Sequence, residues 1–273
     1  MLGIFVALAS FARYLTSPRV SLPKGKGLFI DDLVREGVGV KHLVAKLKWL
    51  GIKWLAVEIY WADESQDNTH NLEDGSLALF VPELRAAGID VWVWGFPSPD
   101  RVPRFVELTK HAYDVAPGVA GVIIDPEKPF YGREYGPALE DLMSRLADLG
   151  KPVGVTSYGY PKFHPSFPWE AISGAAFGMP QVYSERGPDY PDLADDAWRD
   201  LGIDYIVPLN GASSAHRADD PDGFGLEEQA AASDTSDGAI GWWNYRHVIK
   251  AKDSGQKARA QFVRTFDAWG GDG

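Results

Sequence analysis

One phrase recurs along this chain and restricts its architecture more than any other feature. Leu50-Gly51-Ile52, Ala87-Gly88-Ile89, Leu149-Gly150-Lys151 and Leu201-Gly202-Ile203 each close a helical pattern and open an apolar run. Glycine fits the left-handed position just past a helix end. The next residues enter a strand. Four helix-to-strand junctions of one kind imply repeated crossovers and hence a parallel sheet.

Helical spacing agrees. Val40, Leu43, Val44, Leu47 and Leu50 share one face. Leu139, Leu142, Met143, Leu146 and Leu149 share another, with Pro137 near its start. A final helix is expected over 253–269, with Phe262 and Phe266 on its apolar side. Eight strands are predicted, over 27–30, 54–60, 89–94, 119–124, 153–157, 175–179, 205–207 and 239–243. In 273 residues this is the element count of an α/β protein with a single (β/α)8 TIM-like barrel, a fold of about 250 residues. An open doubly wound sheet is the alternative. It normally carries a Gly-rich phosphate turn after its first strand, whereas here Asp31-Asp32-Leu33 takes that place. No linker divides the chain, so 1–273 reads as one domain, with 1–23 as a packed N-terminal extension. Polar, turn-rich loops are expected over 64–75 and 213–225.

Charge and composition remove several function classes. A net charge of −11 disfavours nucleic acid and anionic membranes as partners. No apolar run reaches the roughly 18 residues of a membrane span. Met1 to Ser10 is apolar but lacks a basic start, and Arg13 interrupts the next stretch. It therefore reads as a packed segment and not as a signal peptide. The chain has no cysteine, which removes disulfides, thiolate nucleophiles and Cys-based metal sites. There is no Gly-x-Ser-x-Gly elbow, and the six histidines show no His-Glu-x-x-His spacing. No cofactor or metal is expected. A Mg or Mn site built from Asp31, Glu58, Asp125 and Glu127 is a lesser alternative.

The chemistry concentrates at Ile123-Ile124-Asp125-Pro126-Glu127. Side chains at i and i+2 of an extended chain point the same way. Asp125 and Glu127 would then stand together at the C-terminal end of strand four, the end that carries the active site in α/β barrels. Neighbouring carboxylates raise each other's proton affinity, so one can stay protonated for general acid catalysis. An acidic solvated loop is the plainer alternative.

The other strand ends are equally polar or aromatic. Strand one ends in Asp31 and Asp32, which could instead cap a helix near Val38. Strand two carries Glu58 and Tyr60; Glu58 faces either the barrel mouth or a buried cation. Strand three holds Trp92 and Trp94, at least one of them core. Tyr158, Gln181, Tyr183, Asn210 and Trp243 stand at or near the ends of strands five to eight. The chain is rich in rings, with 10 Trp, 11 Tyr and 13 Phe. Rings, amides and acids together suit an uncharged polyhydroxylated ligand.

These residues resemble two kinds of glycoside hydrolase barrel. Ile30-Asp31, Asp125-Pro126-Glu127, Trp94-Gly95-Phe96, Ser157-Tyr158-Gly159-Tyr160 and Trp243-Asn244-Tyr245 are similar to motifs of family 25 lysozymes. Gly121-Val122-Ile123-Ile124 before the Asp-x-Glu, Gln181-Val182-Tyr183 and a closing Trp resemble family 18 chitinases. Pro126 departs from both, and the longer acidic run of the chitinases is missing. The resemblance implies cleavage of an N-acetylhexosamine polymer, peptidoglycan first and chitin second. It makes Glu127 the general acid, Asp125 the partner of the substrate acetamido group, and Asp31 a tuning residue. It makes Glu58, Tyr60, Trp94, Tyr158, Gln181, Tyr183, Asn210 and Trp243 substrate-binding. A phage-type lysin is one setting for such a chain. A non-catalytic glycan-binding or structural barrel is the alternative function, and a metal-dependent lyase or isomerase a third.

Overall fold

A computed structural model of the chain describes residues 22–36, 39–62, 67–183, 190–211, 237–250, 260, 261, 263 and 264. Eight strands form its centre: β1 (Gly25–Ile30), β2 (Trp54–Ala62), β3 (Asp90–Phe96), β4 (Val119–Ile124), β5 (Val153–Tyr158), β6 (Phe177–Gln181), β7 (Leu209–Gly211) and β8 (Ala239–Trp243). Each pairs in parallel with its successor, and β1 pairs with both β2 and β8. The sheet is therefore a closed (β/α)8 barrel. Among the described residues, helices α1 (Val40–Leu50), α2 (Ser76–Ala86), α3 (Val102–Val115), α4 (Gly136–Ala147) and α5 (Tyr190–Asp200) flank it. The β5–β6 connection uses short 3-10 turns, Pro161–Phe163 and Trp169–Ile172, in place of a helix.

The recurring glycines do what their spacing suggests. Gly51, Gly88, Gly150 and Gly202 adopt φ of +74°, +77°, +79° and +86°, a region costly for residues with a Cβ.

Strand alternation sorts the core into two layers. Leu28, Ile30, Val57, Val91, Val93, Val122, Ile124 and Val155 face outward onto Leu43, Leu47, Leu84, Leu108 and Leu142 of the helices. Phe29, Trp54, Trp92, Trp94, Ile123, Phe177, Met179 and Leu209 fill the interior. Large rings fit there because glycine stands opposite them. A Cβ on Gly27 would lie 1.8 Å from Trp54, and one on Gly154 would lie 2.2 Å from Phe177. Burying each such ring contributes on the order of 2–3 kcal/mol.

Two strands sit later than expected. β6 runs on through Pro180 to Gln181, which pairs with both Tyr158 and Leu209. The segment expected as strand seven makes an isolated bridge, Gly178 to Ile206. Pro208, which has no N–H for a ladder, separates that bridge from β7 proper. The loop expected over 64–75 contains structure: Asp67–Asn68 pairs antiparallel with the end of β2, and His70–Glu73 forms one helical turn. The loop 213–225, Phe262 and Phe266 of the last helix, and all of the N-terminal extension except Leu22 and Pro23 lie outside the described residues. Among the described residues, no helix is long and apolar enough to cross a membrane.

Candidate active site

Asp125 and Glu127 come directly after the last residue of β4. The strand's parity, with Ile123 inside and Ile124 outside, turns Asp125 into the mouth. Its backbone N–H still bonds Gly95 O of β3 at 3.0 Å, and its side chain is 5% exposed. Gln181 of β6 links the pair. Its Nε2 donates to Asp125 Oδ1 at 3.3 Å, and its side chain also hydrogen-bonds Glu127. Burial pushes the Asp125 carboxyl well above the usual range, and the charge of Glu127 adds to this. Burial also raises Glu127, with the Gln181 hydrogen bond opposing it. The two acids therefore hold protons more tightly than free carboxyls, the condition for a general acid near neutral pH. Tyr158 of β5 stands beside them. Burial first, then the charges of Glu127 and Asp125, push its hydroxyl up to about 12, so it remains a donor.

The floor is aromatic. Trp243 is half-buried, with its ring 5.1 Å from Trp94 and 5.5 Å from Phe29. A cis peptide joins it to Asn244. Trp94 is fully buried beneath Trp243, and its Nε1 donates to Ile30 O at 3.3 Å. It supports the floor and does not line it, contrary to its expected role.

The mouth edge formed by β8, β1 and β2 is a hydrogen-bonded network. Asn244 Nδ2 donates to both carboxylate oxygens of Asp31, at 3.0 and 2.9 Å. Asn71, 1% exposed, comes from the turn after β2. Its Nδ2 donates to the carbonyls of Asp31 and Glu58 at 2.7 and 2.8 Å. Its Oδ1 accepts from Leu33 N at 2.9 Å. Glu58 is 5% exposed and registers with inward-facing Trp94. Asp32 directly precedes the one-turn helix Leu33–Glu36 and lies 3.4 Å from His70 Nε2.

Two expected site residues face the wrong way. A bulge between Glu58 and Tyr60 shifts the register of β2 against β3. One extra residue reverses the alternation beyond it. Tyr60 is thereby fully buried against Phe105 of α3, at 5.7 Å, and Trp61 turns inward. The Trp61 ring stacks on Phe96 at 4.7 Å and meets the edge of Trp94 at 6.1 Å. Asn210 is fully buried. It pairs with outward-facing Trp242 while its neighbour Leu209 points inward, so it belongs to the outer layer. Tyr183 is half-buried and packs on the inner core just past β6.

Asn71, Trp61, Asn244, Tyr131 and His164 also stand at the mouth, though the sequence does not single them out as site residues. Tyr158 stacks on His164 at 3.8 Å, and Tyr131 sets its edge against both rings, at 6.0 and 6.1 Å. Asn244 has a sequence signal, its position right after Trp243. Asn71 has none, because its importance comes from contacts across 40 and 13 residues of chain. Among the described residues, no three acidic or histidine side chains converge in a geometry that could hold a metal ion.

No protein-family model and no curated protein matches the chain. Solved structures do match its fold. A GH18 chitinase, ChiB, of Flavobacterium johnsoniae superposes with a TM-score of 0.59 at 12% identity, over 90% of this chain and 95% of that one. An endo-beta-N-acetylglucosaminidase of Cordyceps militaris gives 0.61 at 12% identity, over 94% of both chains. A variant of that fungal enzyme, with an Asp and a Glu two residues apart changed to their amides, was solved bound to fucosyl-N-acetylglucosamine-Asn. The spore cortex-lytic enzyme SleL of Bacillus cereus gives 0.50 at 12% identity, over 69% of this chain and 51% of its own. The structural neighbours are thus glycoside hydrolases with a TIM-barrel fold, similar to this chain in architecture.

Proposed function

We propose that the protein is a glycoside hydrolase that cleaves a polymer of β-linked N-acetylhexosamine, with Glu127 as its general acid. The observation that carries this reading is the Asp125–Glu127 pair at the end of β4, both acids raised in proton affinity and bridged by Gln181. The Asp-x-Glu altered in the ligand-bound fungal enzyme has the same spacing.

The sugar undergoing attack rests on Trp243. Glu127 gives its proton to the glycosidic oxygen as the bond to C1 breaks. The acetamido oxygen of the same sugar closes on C1, a substrate-assisted route outside the two-carboxylate scheme. Asp125 accepts the acetamido N–H and balances the charge that develops. Tyr158 and Gln181 donate towards the acetamido group. Glu127, now ionised, takes a proton from the water that reopens the ring intermediate. Asp31 and Glu58 shape the opposite edge of the mouth.

The test is release of reducing ends from chitin oligosaccharides and from purified peptidoglycan, comparing wild type with Glu127→Gln. Cleavage of either by wild type, reduced at least about 10²-fold in the variant, is the expected result. Equal turnover in both proteins overturns the assignment. Sugar-dependent tryptophan fluorescence without cleavage would indicate a binding barrel.

A further inference from the structure

The loops after β4 and β5 carry a surface of which the chemistry above uses only Tyr158, at its inner end. Tyr131 is 42% and Phe163 51% exposed. Tyr131, Tyr158 and His164 form one edge-and-face cluster that begins at the acid pair and runs outward. Three exposed cations stand on the same two loops. Lys128 comes directly after Glu127, Arg133 reaches across to Pro165 O at 3.4 Å, and Lys162 lies 5.6 Å over the Tyr160 ring. One carboxylate, Glu134, accompanies them, packed over Gly132. On a chain of net charge −11, this cationic, aromatic ledge beside the general acid stands out.

We infer that the ledge of Tyr131, Tyr158, His164, Lys128, Arg133 and Lys162 is the leaving-group subsite, and that it takes a sugar bearing a carboxylate or an acidic peptide. This rests on the glycosidase reading. The acid must stand at the oxygen between the two sugars. The sugar attacked at C1 occupies the floor, so the departing sugar lies past Glu127, over these loops. Rings stack on its apolar face while the cations meet its carboxylate. The bond cut in an alternating glycan is then the one that leaves the neutral N-acetylhexosamine at the new reducing end, with the acidic sugar departing.

The experiment compares wild type with the triple variant Lys128→Gln, Arg133→Gln, Lys162→Gln on peptidoglycan strands and on chitohexaose, at low and high salt. New reducing ends are identified after borohydride reduction. The expected result is N-acetylglucosaminitol as the new end. The ratio of kcat/KM on peptidoglycan to that on chitohexaose should fall about tenfold in the variant, three exposed charge contacts together, and the wild-type ratio should fall with salt. An unchanged ratio, or muramitol as the new end, overturns the inference. If wild type cleaves neither substrate, the glycosidase reading fails separately. The ledge is then judged by calorimetry with a disaccharide-peptide against chitobiose, and equal affinities overturn it.

Discussion

Asn244 holds both carboxylate oxygens of Asp31 with a single amide nitrogen, at 3.0 and 2.9 Å, and so ties the end of β8 to the end of β1 across 213 residues of chain. The contact sits at the seam where the barrel closes. Asn244→Asp keeps the shape and sets a second acid against the first. Like charges in a buried site raise both proton affinities, so the folded variant binds protons that the unfolded chain does not. Its stability deficit should be largest above the ordinary carboxylate range, about 2 kcal/mol at pH 7, and should shrink as pH falls towards about 4. Thermal melts of both proteins at the two pH values check this.

Asp125 makes the reverse case. Its proton affinity is raised chiefly by burial, so the stability it contributes is present below the unfolded-state pKa and is lost as pH rises through the folded-state value. At pH 7 the ionised form is a burden on the fold. Asp125→Asn keeps an acceptor for Gln181 and should be more stable than wild type at pH 7 by about 1 kcal/mol, a few degrees in Tm. The gain should narrow near pH 4, and activity should fall about 10²-fold.

Gln181 moderates the effect of burial on Glu127. Its hydrogen bond lowers Glu127, against the effect of burial. Gln181→Met removes the bond and leaves burial unopposed. The alkaline limb of the kcat/KM profile should move to higher pH by a few tenths of a unit, together with a loss in kcat. A limb that stays in place, or moves to lower pH, would contradict the bridging role.

Asn71 joins the backbones under Asp31 and Glu58. Asn71→Leu keeps the branched outline but strands two carbonyls and the Leu33 N–H. The expected cost is about 2–4 kcal/mol, read by urea unfolding.

The barrel was legible in the sequence because its signals are local. A glycine past α1, α2, α4 and α5, with an apolar run after it, marks four of the turns from helix towards strand. Parity carries Asp125 into the mouth, but the strand ends at Ile124 and Glu127 N–H bonds Asp125 O at 3.1 Å, so a turn about Pro126, which the Asp-x-Glu spacing does not announce, sets where Glu127 stands. Tyr60 was misread because parity fails at a bulge, and nothing in Glu58-Ile59-Tyr60-Trp61 marks the extra residue. Trp94 reads as a lining residue until Trp243 is seen above it. Asn71 and Asp31 meet only after β1, β2 and the adjoining turn have assembled, so no spacing announces them.

The rings that plug the barrel interior, Trp54 and Phe177 against Gly27 and Gly154, leave no passage along its axis. On the proposed glycosidase reading, a polymer cannot thread through; it must drape over one end like a rope over a pulley. Substrate and both products therefore share a single face. On that reading attack in mid-strand needs no free terminus, and binding on the proposed ledge beside Glu127 would set how soon the severed ends part.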